Sequence, residues 1–134
     1  LDNQTSNLRS HIVFSDLSDQ FYEKDDSRYV GFCAAFILDR LELTHYFDSV
    51  VDVTAIRHGK PDPEIFLTGA SNLGVQPADC IGIEDAQAGI QAIKSARMFA
   101  VGVGTPSQMQ GADIVVATTA ELSLSMLENH FFRG

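Results

Sequence analysis

The sequence predicts an α/β domain built on a parallel sheet, and two observations carry that expectation. Short apolar runs with no polar residue, above all Cys80-Ile81-Gly82-Ile83, read as strands buried on both faces. Segments of helical period follow such runs after short connections, and this alternation is what a parallel sheet covered by helices requires. At 134 residues the chain is long enough for one domain with a real core and too short for two ordinary ones.

The elements follow in order. Leu1 to Ser10 is a polar terminus, and His11 to Asp16 contains a short apolar run that reads as a strand ending in an acid. Leu17 to Arg28 is crowded with charge and shows no period. Tyr29 to Cys33 reads as a short strand and Ala34 to Leu43 as a helix, with Phe36, Ile37 and Leu41 opposite Asp39 and Arg40. The β-branched run Ser49 to Val53 predicts another strand. Pro63 to Leu73 reads as a helix, with Asp62 as its N-cap and Gly74 as its C′ residue. Gln76 to Asp79 is a turn, and residues 80–84 form the strand described above. A helix runs from Ala86 to about Ala96, its Ala86, Ile90 and Ile93 on one face and Gln87, Gln91 and Lys94 off it. Phe99 to Val103 and Ile114 to Val116 are strands, and Leu122 to Phe132 closes the chain as a helix.

Composition narrows the function. A formal charge of −9 argues against nucleic acid or an anionic membrane as the main partner. No apolar run approaches a membrane span, and no secretory signal is visible. The chain begins at Leu1, the mark of a processed or partial product. Cys33 and Cys80 lie in apolar contexts and read as reduced core residues of a cytoplasmic protein. His11, His45, His58 and His130 have no ligand spacing. Val101-Gly102-Val103-Gly104 reads as a strand-to-loop turn, because the dinucleotide fingerprint and its helix are absent.

The chemistry concentrates in two stretches. Glu84 and Asp85 close a buried strand just before a helix, and in open α/β sheets ligands collect at the carboxyl ends of strands. Asp85 can cap the helix from Ala86. Two acids there suit a hard divalent cation such as Mg²⁺, held through few carboxylates and several waters. His58-Gly59-Lys60-Pro61-Asp62-Pro63 then presents Lys60 from a stiff loop, with Pro61 restricting it to an extended backbone. A fixed ammonium near two carboxylates and a metal is what phosphoryl chemistry needs.

These residues carry a family resemblance. Gly59-Lys60-Pro61-Asp62-Pro63-Glu64-Ile65-Phe66, Leu73-Gly74-Val75, Cys80 to Ile90, Val101 to Gly104 and Gly111-Ala112-Asp113 follow one another as in the haloacid dehalogenase-like superfamily. Residues 34–127 resemble its β-phosphoglucomutase and sugar-phosphate phosphatase branch. The resemblance implies a three-layer Rossmann-like core with a parallel sheet. It makes Lys60 the motif lysine that steadies the nucleophile and the phosphoryl group, and so a catalytic and substrate-binding residue. It makes Glu84 and Asp85 the acids that help hold Mg²⁺.

The front of the chain departs from the family pattern. The family's first motif is a strand ending Asp-x-Asp, its first Asp the phosphoryl acceptor and its second the acid/base. Here Val13-Phe14-Ser15-Asp16-Leu17-Ser18-Asp19 is similar in outline only. If Asp16 stands for the nucleophile, Ser18 occupies the acid/base position. Tyr29 to Cys33 supplies no Ser or Thr for the family's second motif. About a dozen residues separate Asp16 from Tyr29, which leaves no room for a helical cap domain; a parallel crossover alone takes roughly that many. Residues 1–33 are thus read as a degenerate N-terminal segment and residues 34–134 as the C-terminal part of the core, without a cap.

The resemblance implies Mg²⁺-dependent phosphoryl transfer on small sugar phosphates, of the kind that converts β-glucose 1-phosphate to glucose 6-phosphate. The alternatives are a sugar-phosphate phosphatase and a non-catalytic truncated remnant of the family. A response-regulator receiver domain fits in size and also uses clustered acids and a Lys-Pro, but it places the acids first; here Lys60-Pro61 precedes Glu84-Asp85. A face left bare by a missing cap and strand would favour self-association, since large apolar patches seldom stay exposed.

Overall fold

The structure, a computed structural model, describes residues 12–14 and 39–133. The expectations for Asp16, for Cys33, for the strand at 29–33 and for most of the helix at 34–43 lie outside these residues.

Four parallel strands form one sheet in the order β1 (Ile12–Phe14), β2 (Ile81–Glu84), β3 (Phe99–Val103) and β4 (Ile114–Val116). Phe14 pairs with Ile83, Ile83 with Val101, and Val101 with Ile114. All strands run the same way, so their carboxyl ends gather along one edge. The helices among the described residues that follow the loop at 57–63 are α1 (Glu64–Leu73), α2 (Gln87–Ser95) and α3 (Leu124–Arg133).

The two-residue period of a strand sorts the side chains into layers. Ile81, Ile83, Phe99, Val101 and Val103 face α3, where Leu124, Met126, Leu127 and Phe131 cover them. Phe99 and Phe131 meet edge to face with ring centroids 5.8 Å apart. On the opposite face Cys80, Ala100 and Val115 join Phe66 and Ala70 of α1 and Ile90, Ala92 and Ile93 of α2. The result is a three-layer α/β sandwich. No helix among the described residues is long and apolar enough to cross a membrane.

Most helix boundaries fall within a residue or two of the sequence reading. Asp62 Oδ1 accepts the Glu64 amide at 2.9 Å, satisfying one of the orphan donors at the start of α1. Gly74 ends that helix at φ 68°, a left-handed conformation that costs a glycine nothing. The last helix starts at Leu124 and not Leu122, because the Ser123 hydroxyl accepts the Met126 amide at 3.1 Å and acts as a cap.

Two expectations are corrected. Residues 49–53 are not a strand: Asp52 accepts from the Thr54 amide at 3.0 Å and its hydroxyl at 2.6 Å, starting a 3₁₀ turn at Val53–Ala55. These bonds hold the Asp52 carboxyl below its ordinary pKa. A local side-chain bond here outweighs the β-branched preference of the run. The helix expected to Leu43 is still helical at Asp39 and Arg40 but then turns, with Glu42 at φ 57° donating its amide to the Asp39 carbonyl.

Candidate active site

The site is built from the carboxyl end of β2 and the loop before α1. Glu84, the last residue of β2, points under the first turn of α2. A Cβ on Gly89 would land on the Cγ, Cδ and Oε2 of Glu84, so a glycine at that turn gives the acid its space. The Glu84 side chain is fully buried, and a carboxylate in that position needs a partner for each oxygen. Oε1 accepts the backbone amides of Asp85 at 2.9 Å and Ala86 at 3.1 Å. Oε2 accepts the Lys60 ammonium at 2.8 Å.

This geometry revises the start of α2. The N-cap is Ala86, and no side chain caps it. The amides of Asp85 and Ala86, just before the helix, are received by Glu84 from inside the strand.

Lys60 reaches Glu84 from a loop that is braced along its length. The Asp62 amide donates to the Gly59 carbonyl at 3.0 Å. Glu64 Oε2, from the first turn of α1, accepts the amides of Arg57 at 2.6 Å and His58 at 2.7 Å. The Lys60–Pro61 peptide is cis. The lysine side chain is nearly buried, with 12% of its surface exposed. Glu64, which the sequence reading of this loop did not include, supplies two of the bonds that brace it.

Asp85 follows at the strand-to-helix junction, half-buried, and borders an open cleft of about 520 Å³ with Gln87, Gln91 and Gln108. Gln87 fixes one wall by exchanging two 2.8 Å bonds with the backbone of Gln110. The structure thus brings Lys60, Glu84 and Asp85 to one edge of the sheet, beside the carboxyl end of β1. Asp16 lies two residues beyond Phe14 in sequence and outside the described residues.

The donor set can be weighed against Mg²⁺. Among the described residues no three His, Cys, Asp or Glu side chains converge on one point. Mg²⁺ is commonly held by one or two carboxylates together with waters and substrate phosphate oxygens. Asp85 fits that demand as a carboxylate at the open edge. Glu84, with both oxygens engaged, fits as the adjacent buried charge and the partner of Lys60.

The remaining candidates resolve simply. Cys80 is fully buried, and burial pushes its thiol up from 9.0 to about 11, with Asp79 adding to the shift. It is a core residue. His58 Nδ1 lies 3.9 Å from Glu64 Oε2 and belongs to the loop brace. The Gly104 amide donates to the Val116 carbonyl at 2.8 Å, so Val101 to Gly104 is a strand end tied to β4.

Sequence reasoning missed Glu64 and Gly89. Nothing in the pattern separates Glu64 from any other acid in a first helical turn. Gly89 did carry a signal, since a glycine inside a helical pattern points to a close approach.

The chain matches the family model of haloacid dehalogenase-like hydrolases over residues 28–97. It is 56% identical over 95 residues to the β-phosphoglucomutase of Bacillus subtilis (strain 168), covering 71% of this chain and 42% of that one. To the fructose-1-phosphate phosphatase YqaB of Escherichia coli (strain K12) it is 49% identical over 70 residues, covering 52% and 37%. The fold superposes on the crystal structure of β-phosphoglucomutase from Clostridium difficile with a TM-score of 0.72 and 42% identity, over 75% of this chain and 45% of that one. The chain spans less than half the length of each of these relatives.

Proposed function

Because the chain belongs to the haloacid dehalogenase-like hydrolase family, we propose that it serves Mg²⁺-dependent phosphoryl transfer on sugar phosphates. The reaction is of the β-phosphoglucomutase type, from β-glucose 1-phosphate to glucose 6-phosphate. The observation that carries this reading is the buried Lys60–Glu84 pair at 2.8 Å, set beside Asp85 at the carboxyl edge of the sheet. The similarity to β-phosphoglucomutases supports the substrate class.

Each residue has a role in this proposal. Asp85 holds the metal, with Glu84 as the neighbouring charge. Mg²⁺ when bound supplies charge neutralisation at the phosphoryl oxygens. Lys60 neutralises the remaining charge as the phosphoryl group moves, and Glu84 holds that ammonium in place through the 2.8 Å contact. Asp16 is the proposed nucleophile; its carboxylate attacks phosphorus, and the bond to the leaving sugar oxygen breaks. Transfer on to a sugar hydroxyl gives a mutase. Transfer to water gives a phosphatase, a second reading that the similarity to fructose-1-phosphate phosphatase favours. Residues 34–134 serve as the C-terminal part of the catalytic core, in a cytoplasmic setting that suits the free, buried thiol of Cys80.

The test is phosphate release from p-nitrophenyl phosphate and β-glucose 1-phosphate, with and without Mg²⁺, for the wild type beside Asp16→Asn and Asp85→Asn. Mg²⁺-dependent turnover lost in both variants supports the proposal. A folded chain with no turnover assigns it instead to a remnant, or to one half of a site completed by residues outside this chain.

A further inference from the structure

We infer that Glu64 is a positioning residue: its carboxylate latches the loop that presents Lys60 and thereby sets where the ammonium stands at the sheet edge. This rests on the proposed role of Lys60 in phosphoryl transfer.

The geometry is specific. Lys60 lies between Arg57 and Glu64, and one oxygen of Glu64 accepts the amides of both Arg57 and His58, at 2.6 Å and 2.7 Å. The latch joins the loop's entry to the first turn of α1, which is itself anchored by the buried Phe66. The Glu64 amide in turn donates to Asp62 Oδ1 at 2.9 Å, so side chain and backbone of one residue hold both flanks of Lys60. Amide bonds to a carboxylate are about twice as strong as neutral ones. The same carboxylate suits the positive end of the α1 dipole. The neighbouring polar groups make other contacts: Asp62 Oδ1 serves α1, and the His58 ring stands 3.9 Å from the latch oxygen. With the latch removed, the entry of the loop at Arg57 and His58 loses its two bonds to α1, and the 2.8 Å contact of Lys60 to Glu84 is presented from a loop held on one flank only.

The test reads the lysine directly. Native protein is acylated with a water-soluble amine reagent, and Lys60 and Lys94 are followed separately by peptide mass spectrometry. Lys94 is the internal standard, more exposed at 42% and paired with Asp113 at 2.9 Å. In the wild type Lys60 reacts more slowly than Lys94. Glu64→Ala raises the Lys60 rate about tenfold, the loss expected for charge-assisted bonds, and leaves Lys94 unchanged. Glu64→Gln retains a carbonyl oxygen for the two amides and stays near the wild-type rate. Glu64→Asp keeps the charge but shortens the reach; it reports the same loss if the alanine variant fails to fold. Unchanged Lys60 labelling in a folded Glu64→Ala or Glu64→Asp protein overturns the latch, as does an equal rise at Lys94. Phosphate release is measured in parallel. A wild type without turnover defeats the functional reading and leaves the labelling result to decide the latch.

Discussion

Lys60 and Glu84 stand 24 residues apart in sequence and 2.8 Å apart in space, as an ion pair with side chains 12% and 0% exposed. Taking two charges out of water is costly, and their attraction offsets that cost only when the remaining hydrogen-bonding capacity is also satisfied. Here the second oxygen of Glu84 takes two backbone amides. The pair joins the loop before α1 to the strand before α2, so breaking it should cost stability as well as any activity. Lys60→Met and Glu84→Gln are each expected to destabilise by about 3–5 kcal/mol, because each removes one partner of a buried ion pair. The double variant should cost clearly less than the sum, with a coupling above about 1 kcal/mol. Urea unfolding of the four proteins measures this cycle, and additive losses would show that the two charges act independently.

Gly89 sets the room available to that pair. Its missing Cβ is the space that Cγ, Cδ and Oε2 of Glu84 occupy. Helix propensity alone says that Gly89→Ala should stabilise α2 by up to about 1 kcal/mol. Overpacking acts in the opposite direction by about 1–3 kcal/mol. Because the overlap falls on a fully buried side chain, the steric effect should win. Gly89→Ala is expected to lower the melting temperature and to raise Lys60 labelling by displacing its partner. A variant more stable than the wild type would mean that Glu84 can relocate freely.

The sequence made the sheet edge legible and left its bracing hidden. Cys80 to Ile83 is apolar without a break, as a strand buried on both faces requires, and the acids after it mark the strand's end. Gly74 ends α1 as expected, while the N-cap is Pro63, one residue after the expected Asp62, whose carboxylate still accepts the Glu64 amide. The run Ser49 to Val53 misled because β-branched composition says nothing of a neighbour to pair with. Asp52 and Thr54 close a local turn there, and no edge of the described sheet reaches it. Asp85 was the natural cap for α2 by position, yet the N-cap is Ala86 without a side-chain cap, and the two amides before the helix go to the buried Glu84 carboxylate. Glu64 could not be found from pattern at all, since its value depends on where Arg57 and His58 return in space.

Asp113 shows how the opposite end of the sheet is tied, and it yields a separate test. Its Oδ2 accepts the amide of the buried Ala100 at 2.7 Å and the Lys94 ammonium at 2.9 Å. β4 begins one residue later, so this carboxylate continues the hydrogen bonding of β3 where the neighbouring strand has not started. Asp113→Ala leaves the Ala100 donor unpaired at a buried position, at a cost of about 1–3 kcal/mol. Asp113→Asn keeps an acceptor and should lose less. Thermal unfolding of the two variants decides it; equal losses would assign the effect to the Lys94 pair and not to the amide.

Cys80 gives the pH prediction. Its thiol is fully buried, and its pKa is pushed from 9.0 up to about 11, first by burial and then by Asp79. Between these values the folded protein keeps a proton that the unfolded chain releases. The unfolded state then binds fewer protons, so stability falls as the pH rises from about 9 towards 11. Replacing the thiol should remove that part of the alkaline loss: Cys80→Ala should start from a lower stability and lose less of it over the same interval. The same burial predicts protection from alkylation. In a Cys33→Ser background at pH 8, iodoacetamide should modify Cys80 slowly in the native state and fully in urea. Rapid native modification would show that the core around Phe66, Ile90 and Cys80 opens far more readily than its packing implies, and the alkaline prediction would fall with it.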